Sequence, residues 1–377
     1  MTTRINTPLV IIVIGPTASG KTDFSEHLLE SIPGQVINAD LGQFYKPLSV
    51  GTAKPDWQHA AYKSHLFDSI GTPTDSSVMV YRQQVLNAVK AISACHEVPC
   101  IVGGSLFYIK SLFFPPKLIQ PLQSAEEFDA SALQLAALPQ GDRGSQNRSP
   151  CGILKALPLV PSSVEGRVEG CEGSNGGVRT DVDDQALWNQ LNEIDPVRAQ
   201  ALHPHDRYRV VRALAIWQTT GQLPSQQQPL YTPPFDAIIV SMDLPKELLR
   251  TRIEQRTKQM VLQGGWIQEA ESLINTPWET FIHQKGFVGY DILFTWIRNG
   301  KPATGLDAVI TTIAQNTWQY AKRQIVFSNM LKKQLMQAAA KDSSARIIFY
   351  SVTTGDKQEI DKVIDSVKSY AQNKSSI

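Results

Sequence analysis

The stretch "VIIVIGPTASGKTDFSEHLLES", residues 10–31, decides the fold class. An apolar, β-branched run ends at Gly15, a glycine-rich turn follows, and Lys21 and Thr22 begin a segment with helical spacing. Residues 15–22 match the GxxxxGK[ST] pattern without a mismatch. In this pattern backbone N–H groups and the helix N-terminus bind phosphate oxygens, the lysine reaches the outer phosphate, and the threonine hydroxyl holds Mg²⁺. We therefore predict a phosphate site with Thr22 as the Mg²⁺ ligand, formed by Gly15, Pro16, Thr17, Ala18, Ser19, Gly20, Lys21 and Thr22.

Further short apolar runs resemble the first one. They cover residues 35–39, 99–104 and 237–244, with a possible late strand at 346–352. Segments with helical spacing lie between them, for example 23–31 and 81–93. Alternating strands and helices are typical of a parallel α/β sheet with right-handed crossovers. Together with the phosphate loop, this pattern predicts a P-loop NTPase-like parallel sheet flanked by helices.

The region between the third and fourth apolar runs has a different composition. Residues 139–183 are rich in Gly, Ser, Pro and charge, and such a segment buries too little apolar surface to order itself. Residues 185–221 have strong helical spacing, broken at Pro196 and Pro204 and ended by Gly221. We therefore predict a catalytic core of residues 1–115 and 235–377, and an all-helical insertion domain, 116–234, that contains a disordered segment.

The overall composition is that of an ordinary soluble protein. The 377 residues are 42% hydrophobic and 19% charged, and the formal net charge of +1 indicates no global field for a nucleic acid. The longest apolar run, 9–14, is too short to span a bilayer, so we expect a cytoplasmic protein with no membrane partner. No CxxC pair occurs, which favours reduced thiols at Cys95, Cys100, Cys151 and Cys171.

Two polar residues follow predicted strands. Asp40 comes just after the second strand, at the sheet edge where α/β proteins place their active sites. A carboxylate there can act as a general base or hold Mg²⁺, or it can simply belong to a turn. Ser105 follows the third strand and presents a hydroxyl at the same edge. Serine is also a favoured helix N-cap, and both roles can hold together.

Basic residues form two further candidate sites. Arg252 and Arg256 are four residues apart, so they share a helix face that could clamp an anion or lie in solvent paired with Glu247 and Glu254. The insertion mixes arginines and histidines with aromatic residues, a pattern that suits RNA phosphates and stacked bases but is also compatible with an ordinary helix core. The cluster contains Arg198, His203, His205, Arg207, Arg209 and Arg212, with Trp188, Tyr208 and Trp217.

As a group, these motifs resemble the tRNA dimethylallyltransferase (isopentenyltransferase) family. The resemblance spans residues 9–327 and follows the family's order of motifs. The phosphate loop alone is generic. Two further motifs, GTAKP and VGGS, make the resemblance specific to this family. The motifs are GPTASGKT at 15–22, ADxxQxY at 39–45, GTAKP at 51–55, VGGSxxY from 102, DP…HPxD…R…RAL at 195–214, RIxxR at 252–256, VGY at 288–290 and AKRQ at 321–324.

The resemblance implies a prenyl transfer onto tRNA. The dimethylallyl group would pass from dimethylallyl diphosphate to the N6 amine of adenosine 37, 3′ to the anticodon, in tRNAs that read codons beginning with U. The loop would then bind a diphosphate leaving group with Mg²⁺ as cofactor. Asp40 would be the general base, Ser105 would hold the amine or the diphosphate, and Lys21, Thr22 and Arg252 would stabilise the departing diphosphate.

The same resemblance implies a monomer that binds the anticodon arm of tRNA. The residues expected to contact tRNA are Gln43, Tyr45, Gly51, Thr52, Lys54, Arg207, Arg209, Arg212, Arg256 and Arg323.

The sequence also departs from the family pattern. Leu41 replaces the usual Ser, Asp291 replaces a basic residue, and Trp318 stands where an arginine is common. The TWxR tail reads VFSN at 326–329. Two alternatives stay open. A small-molecule P-loop kinase is one, because a strand followed by a helix with two arginines four residues apart also serves as a kinase lid. An RNA-binding relic of the transferase with weak catalysis is the other, and Leu41 and Asp291 suggest it.

Overall fold

The structure is a computed structural model that describes residues 7–116, 183–227, 230–342 and 344–375. The predicted disordered segment, 139–183, lies outside these residues apart from Asp183, as do Cys151 and Cys171. Cys95 and Cys100 are both free thiols. In the described part of the chain, no helix combines the length and apolar character needed to cross a membrane.

A six-stranded parallel sheet forms the centre of the larger unit. Its strands are β1 (Leu9–Ile14), β2 (Gly34–Asn38), β3 (Ser64–His65), β4 (Val98–Gly103), β5 (Asp236–Asp243) and β6 (Ile347–Thr353). Their order is β3-β2-β4-β1-β5-β6 and every pairing is parallel. The predicted parallel sheet and its late strand are confirmed. The sequence did not predict β3, because two residues are too few to carry a hydrophobic pattern.

The register brings the phosphate loop and the predicted base to one edge. Ile14, the last residue of β1, lies opposite Gly103 of β4 and Ser241 of β5. Asn38, the last residue of β2, lies opposite Val102 of β4. The segments that follow β1, β2 and β4 therefore leave the sheet side by side at its carboxyl edge, where α/β sheets bind ligands.

Helices cover both faces of this sheet. In chain order the helices of the larger unit are α1 (Lys21–Ser31), α2 (Val78–Ala94) and α3 (Leu106–Phe113), then, after the insertion, α7 (Lys246–Leu262), α8 (Trp266–Leu273), α9 (Pro277–Lys285), α10 (Tyr290–Arg298), α11 (Leu306–Ala339) and α12 (Lys357–Ser375). Apolar residues of α2, α3 and the end of α11 pack on one face, and those of α1 and α12 pack on the other. Truncating one fully buried leucine or isoleucine in such a core lowers the free energy of unfolding by about 2–5 kcal/mol. The candidate site is therefore built on a well-packed core.

A second apolar cluster in the same unit is purely helical. It joins the end of α7, α8, α9, α10 and the start of α11. Tyr45 and Leu48, from the segment after β2, are buried in this cluster at 1% and 0% exposed. The loop at 48–54 is therefore anchored to the helices rather than to the sheet.

The smaller unit contains the described part of the insertion. The chain divides into Met1–Pro115 with Tyr231–Ile377, and Pro116–Leu230. The smaller unit has α4 (Asp184–Ile194), α5 (Pro196–Gln200) and α6 (Arg207–Thr220), which bury Leu187, Leu191 and Leu214 between them. Asp183, Asp195 and Asp206 cap the three helices, and Gly221 ends α6 with φ of 65°. The predicted helical breaks at Pro196 and Pro204 and the end at Gly221 are confirmed.

Candidate active site

The phosphate loop joins β1 to α1. Gly20 is the N-cap of α1 with φ of 81°, a left-handed conformation that costs glycine little. Ala18 is also left-handed, with φ of 62°, which is uncommon for a residue with a side chain. Ser19 is fully buried and its hydroxyl has no hydrogen-bond partner among the described residues. A strained, incompletely satisfied loop at a sheet edge is typical of a ligand site.

Lys21 bends back over this loop. Its Nζ donates hydrogen bonds to the carbonyl oxygens of Gly15 at 3.1 Å and Pro16 at 2.8 Å. Burial lowers the pKa of Lys21 to about 8, although the neighbouring Asp40 carboxylate acts in the opposite direction. A bound phosphate could replace the two carbonyl oxygens as the acceptor, which would stabilise the ammonium by direct charge pairing.

Asp40 lies in the same charge cluster. Burial raises the pKa of its carboxyl group, while Lys21, Arg256 and the backbone N–H groups of Gly42 and Gly104 lower it. A carboxylate whose proton affinity is raised by burial is a better proton acceptor than an exposed one. The structure therefore brings the predicted base and the predicted phosphate-binding lysine together.

Ser105 connects two loops at this edge. It occupies the N-cap position of α3, but its side chain makes no capping hydrogen bond. Its hydroxyl instead accepts a hydrogen bond from the Leu41 N–H at 2.9 Å, and its own N–H donates to the Ala39 carbonyl at 3.0 Å. Ser105 thus ties the end of β4 to the segment that carries Asp40.

Arg252 and Arg256 both face the phosphate loop from α7. A Cβ placed on Gly20 would lie 3.8 Å from Nη1 of Arg252, and Nη1 of Arg256 lies 3.5 Å from the Thr17 hydroxyl. Burial lowers the pKa of Arg256, with Asp40 acting in the opposite direction. The sequence offered Arg256 in two roles, as half of an anion clamp with Arg252 and, through the family resemblance, as a tRNA contact. Its position beside the loop fits the clamp, because the four-residue spacing aligns both arginines on one face.

The loop at 51–54 is held by internal hydrogen bonds. Gln43 Nε2 donates to the Thr52 carbonyl at 3.2 Å, and the Thr52 hydroxyl donates to the Leu48 carbonyl at 2.6 Å. Lys54 donates to the Tyr45 carbonyl at 2.8 Å and pairs with Asp68, and only 3% of its side chain is exposed. The predicted RNA contacts of Tyr45 and Lys54 do not fit this structure, since both side chains are buried.

Glu269 on α8 anchors the same loop from the other side. Its carboxylate accepts hydrogen bonds from the N–H groups of Ser49, Val50 and Gly51 at 2.8, 2.6 and 3.0 Å, and from the Tyr290 hydroxyl at 2.6 Å. Sequence reasoning missed Glu269 because nothing nearby in the chain marks it. Gly51 is thereby a packed structural position, and a Cβ there would overlap Trp266 and Tyr290.

The other predicted RNA contacts are distributed over both units. In the smaller unit, Arg207 pairs with Asp184 at 2.8 Å, and Arg209, which is 61% exposed, lies 3.2 Å from Asp206. Arg212 is partly buried on α6. In the larger unit, Arg323 is exposed on α11 and lines an open groove with Lys322 and three apolar or aromatic residues, Val326, Phe327 and Met330.

Two residues from late in the chain complete the phosphate loop. Gln324 Oε1 accepts a hydrogen bond from the Thr17 N–H at 2.9 Å. The Thr354 hydroxyl donates to the Ser19 carbonyl at 2.6 Å. The AKRQ motif drew attention to Gln324, but no sequence signal marked Thr354, which follows β6 at the same sheet edge.

The residues present fit a magnesium ion that also binds phosphate. Thr22 is the second residue of α1, and its hydroxyl forms no hydrogen bond with any described residue. Over the described ranges no cluster of three or more His, Cys, Asp or Glu side chains could hold a metal. Mg²⁺ commonly takes one protein oxygen together with substrate phosphates and water, so one free threonine hydroxyl suits it.

The lowered pKa of Lys21 predicts a pH-dependent phosphate affinity. A bound anion raises the pKa of the lysine, so binding is strongest when Lys21 is protonated and weakens as pH rises through about 8. We expect the ratio of wild-type to Lys21→Arg affinity for inorganic pyrophosphate to fall between pH 7 and pH 9, since arginine stays charged. Calorimetric titration in EDTA measures both affinities, and a constant ratio would contradict the prediction.

With this geometry established, comparison with known proteins decides the family. The family model described as IPP transferase matches residues 43–148 and 160–330, well over half of the chain. The chain belongs to the IPP transferase family. Among curated IPP transferase relatives, the tRNA dimethylallyltransferase of Geobacter sulfurreducens is 27% identical over 84% of this chain and 88% of its own. That of Bacillus pumilus is 29% identical over 84% and 86%.

Solved IPP transferase structures share the fold. The full-length tRNA isopentenylpyrophosphate transferase from Bacillus halodurans superposes with a TM-score of 0.53 at 22% identity, covering 98% of both chains. A eukaryotic dimethylallyltransferase acting on tRNA gives a TM-score of 0.66 at 21% identity, covering 97% of this chain and 80% of that one. The predicted fold class and family resemblance are therefore confirmed.

Proposed function

We propose that this protein is a tRNA dimethylallyltransferase that modifies the N6 amine of adenosine 37 in tRNAs reading codons that begin with U. The observation that carries the proposal is the adjacency of a phosphate loop and a partly buried carboxylate. Lys21, Arg256 and Asp40 interact electrostatically at one sheet edge. A transferase that expels diphosphate and deprotonates an amine needs a cationic site and a base side by side.

The proposed reaction is a substitution at the allylic carbon. The adenine N6 forms a bond to the first carbon of the dimethylallyl group, the carbon–oxygen bond breaks, and both its electrons leave with the diphosphate. Asp40 takes the proton from the amine. Lys21, Arg252 and Arg256 would hydrogen-bond the oxygens on which negative charge develops, and this lowers the barrier because all three cations lie beside the loop before the substrate binds.

Mg²⁺ is part of the proposal. When bound, Mg²⁺ would supply further positive charge to the diphosphate. Thr22, at the start of α1, is the residue that would hold it. The adenine must leave its stack to reach a site at the sheet edge, which is the reason we assign tRNA binding to a basic surface that clamps the anticodon arm.

The decisive experiment is a transfer assay. The protein is incubated with unmodified tRNA transcripts and labelled dimethylallyl diphosphate, and the label in tRNA is measured. We expect transfer to transcripts that read U-initial codons and none when adenosine 37 is replaced by guanosine. Tight ATP binding with phosphorylation of a small acceptor would support the kinase instead, and tRNA binding without transfer would support the relic.

The arginines of α6 allow a test of the proposed tRNA grip. Arg209 is the more exposed member, while Arg207 is already paired with Asp184. Arginine on a phosphate releases counterions, so we expect the Arg207→Ala, Arg209→Ala double variant to weaken tRNA binding and to flatten its salt dependence. The log–log slope should change by roughly 0.7–0.9 for each arginine–phosphate pair that the substitutions remove. Arg209→Ala alone should give most of this change.

Filter binding of tRNA across a salt series measures affinity and slope. Arg250→Ala is the matched control, because Arg250 is an exposed arginine paired with Glu254 on α7. Pyrophosphate affinity should not change in either variant. Equal slopes for wild type and the double variant would show that the cluster is a solvated face.

A further inference from the structure

A single buried glutamine links two segments of the candidate site. Gln324 lies on α11 and is 6% exposed. Its Oε1 accepts a hydrogen bond from the Thr17 N–H at 2.9 Å, and its Nε2 donates to the Gly104 carbonyl at 3.0 Å. Both ends of the amide are therefore used, and these two partners come from different loops, while a further hydrogen bond joins Gln324 to Tyr320 on the same helix.

Gln324 joins the loop after β1 to the loop after β4 beyond the last hydrogen-bonded pair of the two strands. The parallel ladder between β1 and β4 ends at the pair Ile14 and Gly103. Thr17 and Gly104 lie beyond that pair, so no ladder hydrogen bond sets the distance between their loops. At this point the side chain of Gln324, which belongs to helix α11, connects the two loops by hydrogen bonds.

Each segment leads directly to a reacting part of the proposed site. Thr17 belongs to the phosphate loop, and its hydroxyl lies 3.5 Å from Arg256. Gly104 precedes Ser105, whose hydroxyl accepts from the Leu41 N–H next to Asp40. A Cβ on Gly104 would overlap Nε2 of Gln324 and would lie 3.5 Å from Oδ2 of Asp40. The side-chain amide of Gln324 thus connects the phosphate loop, which would hold the leaving group, to the segment next to the predicted base Asp40.

We propose that Gln324 is a positioning residue that fixes the spacing between the diphosphate held by residues 15–22 and the Asp40 carboxylate. The inference rests on the proposed prenyl transfer. Within the part of the chain that the structure describes, Gln324 forms no hydrogen bond with Asp40. It acts through the Thr17 amide on one side and through the Gly104 carbonyl on the other.

The first test removes both hydrogen bonds at nearly constant volume. A misplacement of about 1 Å in an active site can cost 10²-fold, so we expect Gln324→Met to lower kcat by roughly 10- to 100-fold. The KM for tRNA should stay within about twofold, because Gln324 does not face the solvent. The kcat is normalised to the fraction of folded protein measured by circular dichroism, so that loss of folded protein is not counted.

Gln334→Met is the matched control. Gln334 lies on the same helix, is partly buried, and its Oε1 has no hydrogen-bond partner among the described residues. The same substitution there changes side-chain packing without cutting a link between loops. Its normalised kcat should stay within about twofold of wild type.

A second variant tests the placement by pH. Gln324→Glu keeps an acceptor for Thr17, loses the donor to Gly104, and adds a carboxylate close to Asp40. Lys21, Arg256 and Tyr320 also face Asp40. Because a second negative charge disfavours ionisation of Asp40, the acid limb of the kcat–pH profile should move to higher pH in this variant and not in Gln334→Glu.

The outcomes separate this inference from the proposed function. Wild-type protein that transfers no dimethylallyl group would overturn the proposed function before any variant is compared. Wild-type transfer with equal normalised kcat in Gln324→Met and Gln334→Met would overturn the inference alone. An acid limb that does not move in Gln324→Glu would also count against it.

Discussion

Asp40→Asn should abolish most of the transfer while leaving both substrates bound. Asparagine has the shape of aspartate but accepts no proton, so we expect kcat to fall by about 10²–10⁴-fold, the usual contribution of one positioned proton-transfer group. The backbone around Asp40 should keep its geometry, since the Asp40 N–H still donates to Asn38 Oδ1 at 2.9 Å and the amide oxygen of asparagine can still accept from the Gly42 and Gly104 N–H groups. Single-turnover transfer of labelled dimethylallyl groups measures the effect.

The pH dependence of wild-type turnover should also show whether Asp40 is the base. Asp40 acts as a base only when ionised, and its pKa is raised by burial, so turnover should fall as pH drops through that raised pKa. The residual activity of Asp40→Asn should lack this acid limb. Asp243→Asn is the control, because Asp243 ends strand β5 of the same sheet but is exposed and accepts a hydrogen bond from the Ser241 hydroxyl. Near-normal turnover in Asp40→Asn would exclude the base assignment.

Loss of any one cation beside the phosphate loop should weaken use of the diphosphate. Lys21→Ala, Arg252→Ala and Arg256→Ala each remove a donor to the leaving group. We expect kcat/KM for dimethylallyl diphosphate to fall by about 10²–10³-fold for each, the effect of deleting one preorganised donor to developing negative charge. The affinity for tRNA should change by less than about threefold, because these side chains lie against the loop.

Arg256 makes this prediction discriminating. The sequence offered it both as an anion clamp with Arg252 and as a tRNA contact, and the structure places it 3.5 Å from the Thr17 hydroxyl and electrostatically close to Asp40. Arg250→Ala, on the same helix but paired with Glu254 at the surface, should have no effect on either substrate. A loss of tRNA affinity in Arg256→Ala with unchanged use of the diphosphate would show that Arg256 is a tRNA contact and not part of the diphosphate site.

The sequence alone determined the features that depend on contiguous residues. The phosphate loop is a run of eight residues between a strand and a helix, so its existence and its place in the chain could be read from contiguous residues. The main strands were visible because buried parallel strands are continuous apolar runs, and the helical breaks of the insertion followed from proline and glycine chemistry. Asp40 and Ser105 could be placed at one edge because the carboxyl ends of parallel strands share it.

Only the tertiary structure decided which side chains are available and which segments they join. Tyr45 and Lys54 match the family motifs, yet burial against Trp278 and Phe281 and the pairing with Asp68 remove them from the surface. Gln324 and Thr354 contact the phosphate loop from more than 300 residues away in the chain, and Glu269 reaches Gly51 from α8. Burial and pairing depend on distances between residues that are remote in sequence, and a linear pattern carries no such distances.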